Sequence, residues 1–394
     1  MELEGLRGLA ALFVVLGHYM YTFFPFMVIA GTDTVVHMRF EDNIHGNPLA
    51  LIFSGGFAVI IFFILSGFVL TTGYFQTKRL EIIKSLAARR YLRLMLPALA
   101  SVLLCFILIK LHAAHIDSAA LITQSPWLKG AWHFDANILD ALYNGTVGIF
   151  MHGSSNYNNV LWTMMNEFIG SFLVFGCAML FGTSKYRWIP YTALLLITFN
   201  TLFIAFVIGM ILADLHSTGF IKKLKLRYTL PLLALGIFFG GYPNGEVEGT
   251  IYGFLQPHIL DTLHLDYYNL YWTIGAALLV FLAVFSRGVA STLRRPKISI
   301  LGKYTFSLYL VHIPILYVFT TFVFVKLYPL IGYNGAAVYA CLLSIPVLWG
   351  VTFLFERYID KPAINFARWT ADIFEGKVRA KLPMLAKQPR IHHK

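Results

Sequence analysis

Apolar residues recur along this chain in long runs separated by shorter polar stretches. A helix rising about 1.5 Å per residue needs about 20 apolar residues to cross a hydrocarbon core about 30 Å thick. Runs of that kind cover residues 6–29, 50–74, 94–112, 159–182, 269–286, 304–327 and 334–355, with a shorter one at 229–242. Pro97 then falls in the first turn of the third run, where its missing N–H matters least. The stretch 189–215 is apolar but interrupted by Phe199-Asn200-Thr201. Lys185 and Arg187 precede it, and Lys222, Lys223, Lys225 and Arg227 follow it. Basic residues on both flanks place both ends on one side of a membrane, which predicts a hairpin of two short spans. Residues 113–157 are polar, except for a weakly amphipathic piece at 134–151 suited to a helix at the interface.

The total is about ten spans, an even number, so both termini share a side. Loops assigned to that side carry nearly all the Lys and Arg, including the dense set Lys78, Arg79, Lys84, Arg89, Arg90 and Arg93. The opposite side holds little more than Arg39 and Lys129, with Lys110 and Lys326 near helix ends. Positive charge stays in the cytoplasm. The expected architecture is an all-α membrane protein, a polytopic bundle of about ten transmembrane helices with both termini cytoplasmic. Residues 1–356 form the membrane domain, and 357–394 form a basic cytoplasmic tail, amphipathic or disordered. No internal repeat is visible, which argues against the commonest transporter architectures.

Composition agrees. The 394 residues are 58% hydrophobic and 13% charged, against about 25% charged in soluble proteins. The net charge of +12 follows from basic cytoplasmic loops. Nucleic acid is not an expected partner, because no basic–aromatic module accompanies the charge. Cys105, Cys177 and Cys341 lie in separate apolar runs and make neither a disulfide framework nor a zinc site. His37, His45, His112, His115, His133, His152, His258 and His264 fall in or beside outer loops without metal-ligand spacing, so no metal is expected. The first run is too long for a signal peptide and reads as a retained helix. Asn144-Gly145-Thr146 matches a glycosylation sequon, relevant only in a eukaryotic secretory membrane.

Three titratable residues fall inside spans. His18 lies about 18 Å inward from Leu6, His312 about 14 Å from the inner surface, and Glu167 about 12 Å from the outer one. Ionisable groups at such depth face protein or a water-filled cavity and are functional candidates. A histidine beside a carboxylate is a general-base arrangement, and it equally suits a proton relay in a transporter or flippase. Arg7 lies eleven positions before His18, about three helical turns, and therefore on the same face. Arg90 and Arg93, at i and i+3, open onto the same membrane side as Arg7. Arginine presents a planar fork matched to phosphate, so a phosphate-bearing cytoplasmic ligand reaching inward toward His18 fits this layout.

These residues sit in a series of motifs that resembles acyltransferase family 3, the integral-membrane acyltransferases. Arg7-Gly8-Leu9-Ala10-Ala11 to Gly17-His18 is similar to the family's opening, with Glu4 where Asp is usual. Phe62-Phe63-Ile64-Leu65-Ser66-Gly67-Phe68 resembles its second-span motif, and Arg89-Arg90-Tyr91-Leu92-Arg93-Leu94 with Pro97 its paired-arginine segment. Leu161-Trp162-Thr163 to Asn166-Glu167-Phe168, Leu301-Gly302 to Phe306-Ser307-Leu308-Tyr309-Leu310-Val311-His312, and Glu356-Arg357 to Lys361-Pro362 follow in order. The resemblance implies transfer of an acyl group, most often acetyl, from cytoplasmic acyl-CoA to a hydroxyl of an extracytoplasmic or lipid-linked glycan or a small molecule. It implies residence in a membrane such as the bacterial inner membrane, among lipid, with acyl-CoA as donor substrate and no permanently bound cofactor. By position, His18 would be the base or a transient acyl carrier and Glu167 would support it. Arg7, Arg90 and Arg93 would bind or position the donor. Trp162, Asn166, Ser307, Tyr309 and His312 would line the site, with Tyr309 or a backbone N–H as oxyanion donor. With only a short tail after the last span, the chain would act alone or hand its acyl group to a separate partner transferase. The competing expectations are a proton-coupled transporter or flippase, and a non-catalytic membrane scaffold.

Overall fold

The computed structural model describes residues 2–31, 34–219, 221, 223–255 and 266–376. Lys222, His258, His264 and the end of the tail, with His392-His393, lie outside them. The described residues are 80% helical with almost no sheet. A two-residue parallel pairing, Ile29–Ala30 with Asn244–Gly245, joins two loops. The helices used below are α1 (Glu2–Phe23), α2 (Gly55–Thr77), α3 (Leu80–Lys110), α4 (Ile116–Thr123), α5 (Ile138–Met151) and α6 (Thr163–Phe181). They continue with α7 (Trp188–Ile197), α8 (Phe203–Thr218), α9 (Leu226–Gly240), α10 (Tyr267–Phe285), α11 (Leu301–Ile315), α12 (Thr321–Phe355) and α13 (Lys361–Phe374). Among the described residues, six helical stretches are long and apolar enough to cross a membrane, while α5, α7, α8 and α9 are apolar but shorter. This is a helical, multi-pass membrane protein.

Three departures from the hydropathy reading have clear causes. First, the basic stretch after α2 is not a loop: Leu80–Lys110 is one 31-residue helix. Hydropathy measures solubility in lipid, whereas Arg, Lys, Leu and Ala are all good helix formers. Pro97 therefore lies inside that helix, not in its first turn. Second, α1 stops at Phe23, not 29, because Phe24 precedes Pro25 and has left the helical region (φ −136, ψ 63). Third, the last two spans belong to one helical path, Pro296–Phe374, interrupted at Gly332 (φ 72, ψ 178) and by π-turns at Leu316–Thr320 and Glu356–Asp360. The path continues past residue 356 into α13, whose buried side, Ala363, Ala367 and Ala371, packs on α3. The stretch 189–215 is two helices, α7 and α8, joined at Thr198–Leu202.

Helix α2 occupies the centre, packed against α1, α6, α8 and α10. Its contact with α8 is backbone to backbone. A Cβ at Gly67 would overlap the carbonyl of Phe206, and one at Gly209 the carbonyl of Ile64. Small residues of this kind replace the hydrophobic drive that is missing between helices in lipid. Asn144 is buried, with its amide held by Asp140, so the sequon is not presented to solvent. Among the outer histidines, His37 stacks on Tyr333, His45 bonds the Glu246 carbonyl and His133 pairs with Asp117.

Gly67→Ala and Gly209→Ala are expected to lower the thermal unfolding midpoint in detergent, by an amount equivalent to about 1–3 kcal/mol. Gly176, with nothing within 4 Å of its would-be Cβ, is the control. There alanine should hold or raise the midpoint, since it is the better helix former by about 0.5–1 kcal/mol.

Candidate functional site

Two parallel helices place the histidines. Gly8 of α1 meets Leu301 and Gly302 at the start of α11, and a Cβ at Gly302 would overlap Glu4. Ten residues further along each helix, His18 faces His312, with ring centroids 5.1 Å apart and His312 Nε2 3.4 Å from His18 Nδ1. His18 Nδ1 lies 2.8 Å from the Val14 carbonyl, and His312 Nδ1 lies 3.1 Å from the Leu308 carbonyl. A carbonyl only accepts, so both Nδ1 atoms carry the proton. His312 Nε2 is then an acceptor facing the Nδ1–H of His18, and His18 Nε2 is left with a free lone pair. His312 is wholly buried, while His18 keeps some accessible surface.

The position of His312 depends on a proline. Pro314 lacks the N–H that would bond the carbonyl of Leu310, four residues earlier. That carbonyl instead accepts from Ser101 Oγ at 2.9 Å and Asn158 Nδ2 at 2.8 Å, and Asn158 also donates to Ser101. The freed acceptor thus ties α11 to α3 and to the turn before α6. Neither Asn158 nor Ser101 stood out in the sequence.

Below the histidines, a cavity of about 590 Å³ runs from an exposed rim at Lys361 and Arg368 to the buried Tyr309 and Thr163. Tyr309 is the link between the two: its ring lies 6.0 Å from that of His312. Its hydroxyl donates to the Val160 carbonyl at 2.8 Å and meets Thr163 Oγ at 2.8 Å. The single phenolic proton is committed there, so Tyr309 is not a free oxyanion donor.

The cavity wall is charged but largely self-neutralised. Glu167 is not beside a histidine, as its depth suggested. Its carboxylate pairs with Arg90 and accepts from Ser66 Oγ at 2.6 Å. Arg90 also donates to Ser171 Oγ at 2.8 Å. Depth alone does not fix which way a side chain faces, and the guanidinium of α3 is the stronger partner for a buried carboxylate. Arg7 pairs with Glu4 at 2.6 Å, Arg93 with Asp360 at 2.6 Å and Lys303 with Glu356 at 3.6 Å.

Of the remaining sequence candidates, Asn166 and Ser307 are buried away from the cavity surface, and Trp162 is 36% exposed at the start of α6. None of the three lines the cavity. The aromatic residue that does meet the site is Trp127, from the stretch read as a polar outer loop. Its ring lies 5.2 Å from His18, stacks on Tyr21 at 6.0 Å and contacts Tyr317 at 5.3 Å. Ser125 holds this segment on α1 by donating to the Tyr21 carbonyl at 2.7 Å. A Trp between Pro126 and Leu128 in a short polar stretch carries no periodic signal that could have marked it.

Compared with known families, residues 2–355 match the family model described as an acyltransferase domain, that of acyltransferase family 3. Neither the curated proteins nor the solved structures yield a match.

Arg90→Ala would leave the Glu167 carboxylate buried without its charge partner and is expected to cost about 3–5 kcal/mol of stability. Replacing both partners by apolar residues (Arg90→Met with Glu167→Leu) should recover most of that loss in a thermal unfolding assay. Additive losses in the double variant would show that the two residues are not energetically coupled.

Proposed function

The chain belongs to acyltransferase family 3, and on that premise we propose that it carries an acyl group, most often acetyl, from cytoplasmic acyl-CoA to a hydroxyl on the far side of the membrane. The acceptor is an extracytoplasmic or lipid-linked glycan or a small molecule, and the membrane is a bacterial inner membrane. Both termini and the rim of the cavity lie in the cytoplasm, in keeping with the distribution of Lys and Arg. The observation that carries this reading is the cavity itself, cationic at its rim and ending at Tyr309, one ring from the histidine pair. A CoA thioester is anionic at its nucleotide and thin at its acyl arm, and it enters such a cavity acyl end first.

His18 Nε2 then takes the proton of the acceptor hydroxyl as its oxygen attacks the thioester carbonyl. The carbon–sulfur bond breaks, and the departing thiolate receives the proton from the imidazolium. While His18 is charged, its Nδ1–H is held by the Val14 carbonyl and His312 Nε2, the part a carboxylate plays in a serine-hydrolase triad. Arg90 and Glu167 shape the wall as a pair and take no proton. The acceptor reaches His18 past Trp127 and Tyr21, whose faces suit the apolar face of a sugar ring.

The test is radiolabel transfer from acetyl-CoA by purified protein. His18→Ala should lose at least about 10²–10⁴-fold in rate, and His312→Ala should lose less, because the Val14 carbonyl still orients the ring. Equal transfer by wild type and His18→Ala would sink the role of His18, and absence of acetyl-CoA binding by wild type would favour a proton-coupled transporter. Trp127→Ala should raise the acceptor KM about tenfold with the donor KM unchanged. A change in the donor KM alone would place Trp127 elsewhere in the reaction.

A further inference from the structure

Six cations line the cavity: Arg7, Arg90, Arg93, Lys303, Lys361 and Arg368. It is also lined by four carboxylates, Glu4, Glu167, Glu356 and Asp360, and each is engaged by one of the first four cations. Among the described residues, Lys361 and Arg368 make no ion pair. Both sit on α13, beyond residue 355, where the family match ends.

The geometry of α13 turns these two residues inward. Ala363, Ala367 and Ala371, at i, i+4 and i+8, are buried against α3. Lys361, Asn365 and Arg368, at i, i+4 and i+7, form an adjacent stripe that lines the cavity and is exposed at its rim. The start of the helix is fastened by the bond from Arg93 to Asp360, which is itself only 3% exposed. Arg89 of α3 adds a like charge beside Arg368, although Arg89 also feels Asp372 and Glu375. Positive charge without a counter-charge, held on a rigid element at a cavity mouth, is an anion subsite.

We propose that Lys361 and Arg368 of α13 bind the phosphates of the donor nucleotide, and that the motif arginines Arg7, Arg90 and Arg93, already neutralised, shape the wall instead. This assignment rests on acyl-CoA being the donor. Arg368 offers the bidentate fork and Lys361 a point charge, a combination that suits a phosphomonoester or a pyrophosphate.

The experiment measures binding of acetyl-CoA and acetyl-pantetheine, which lacks the phosphates, to the full chain in nanodiscs of zwitterionic lipid. Lys361→Ala and Arg368→Ala should each weaken acetyl-CoA about tenfold, leave acetyl-pantetheine unchanged and leave the unfolding midpoint unchanged. Lys361→Arg should restore binding. Both side chains are exposed, so neither is needed for folding; should a variant unfold, Lys361→Gln and Arg368→Gln replace it. Undiminished acetyl-CoA binding by both variants would overturn the subsite while leaving the acyltransferase reading intact. Failure of wild type to bind acetyl-CoA at all would overturn both. A loss that appears only in discs of anionic lipid would assign the two cations to lipid headgroups and overturn the donor subsite.

Discussion

The parallel crossing of α1 and α11 is the contact on which the site depends. Gly8 and Gly302 leave room where the two helices meet, for Leu301 against α1 and for Glu4 against α11. The same register, carried ten residues further along both, brings two imidazoles to 5.1 Å. A methyl group at either glycine would push the helices apart and separate the rings. The motif glycines and the motif histidines are therefore one device: the first set the distance at which the second work. Pro314 completes it from the other side, because the carbonyl it frees is bonded by Ser101 and Asn158 and fixes α11 against α3.

Burial of charge governs the rest of the cavity. An isolated ion inside a membrane bundle is costly, so ionisable side chains there find partners. Arg90 has taken Glu167, Arg93 has taken Asp360 and Arg7 has taken Glu4. The outcome is a graded passage. Uncompensated positive charge stands at the rim, paired charge lines the middle, and the ring of Tyr309 stands at the inner end, next to His312. A donor that is anionic at one end and apolar at the other matches that gradient along its length.

The histidine pair lies between two aromatic side chains. Tyr309 faces the pair from the cavity, and Trp127 faces His18 from the segment after α4. Each imidazole thus has its own aromatic neighbour, Trp127 for His18 and Tyr309 for His312, while the His18 tautomer is set by its own helix through the Val14 carbonyl. A histidine held in one tautomer by backbone does not need a carboxylate to orient it, which leaves Glu167 available as the partner of Arg90.

The sequence by itself determined the helical membrane class, the break in residues 189–215, the ordered motifs and the presence of His18 and His312 at matching depth. All of these follow from hydropathy, rise per residue or local residue order. It misjudged Leu80–Arg93, because charge opposes entry into lipid without opposing the helix. It could not tell that Glu167 faces Arg90 rather than a histidine, that Ser307 and Asn166 are buried away from the cavity, or that Trp127 folds onto His18. Those facts depend on the rotation and crossing of helices far apart in the chain. Contacts between those distant segments, such as Arg90 with Ser171 and Ser125 with Tyr21, decide these placements, and only the assembled tertiary structure contains them.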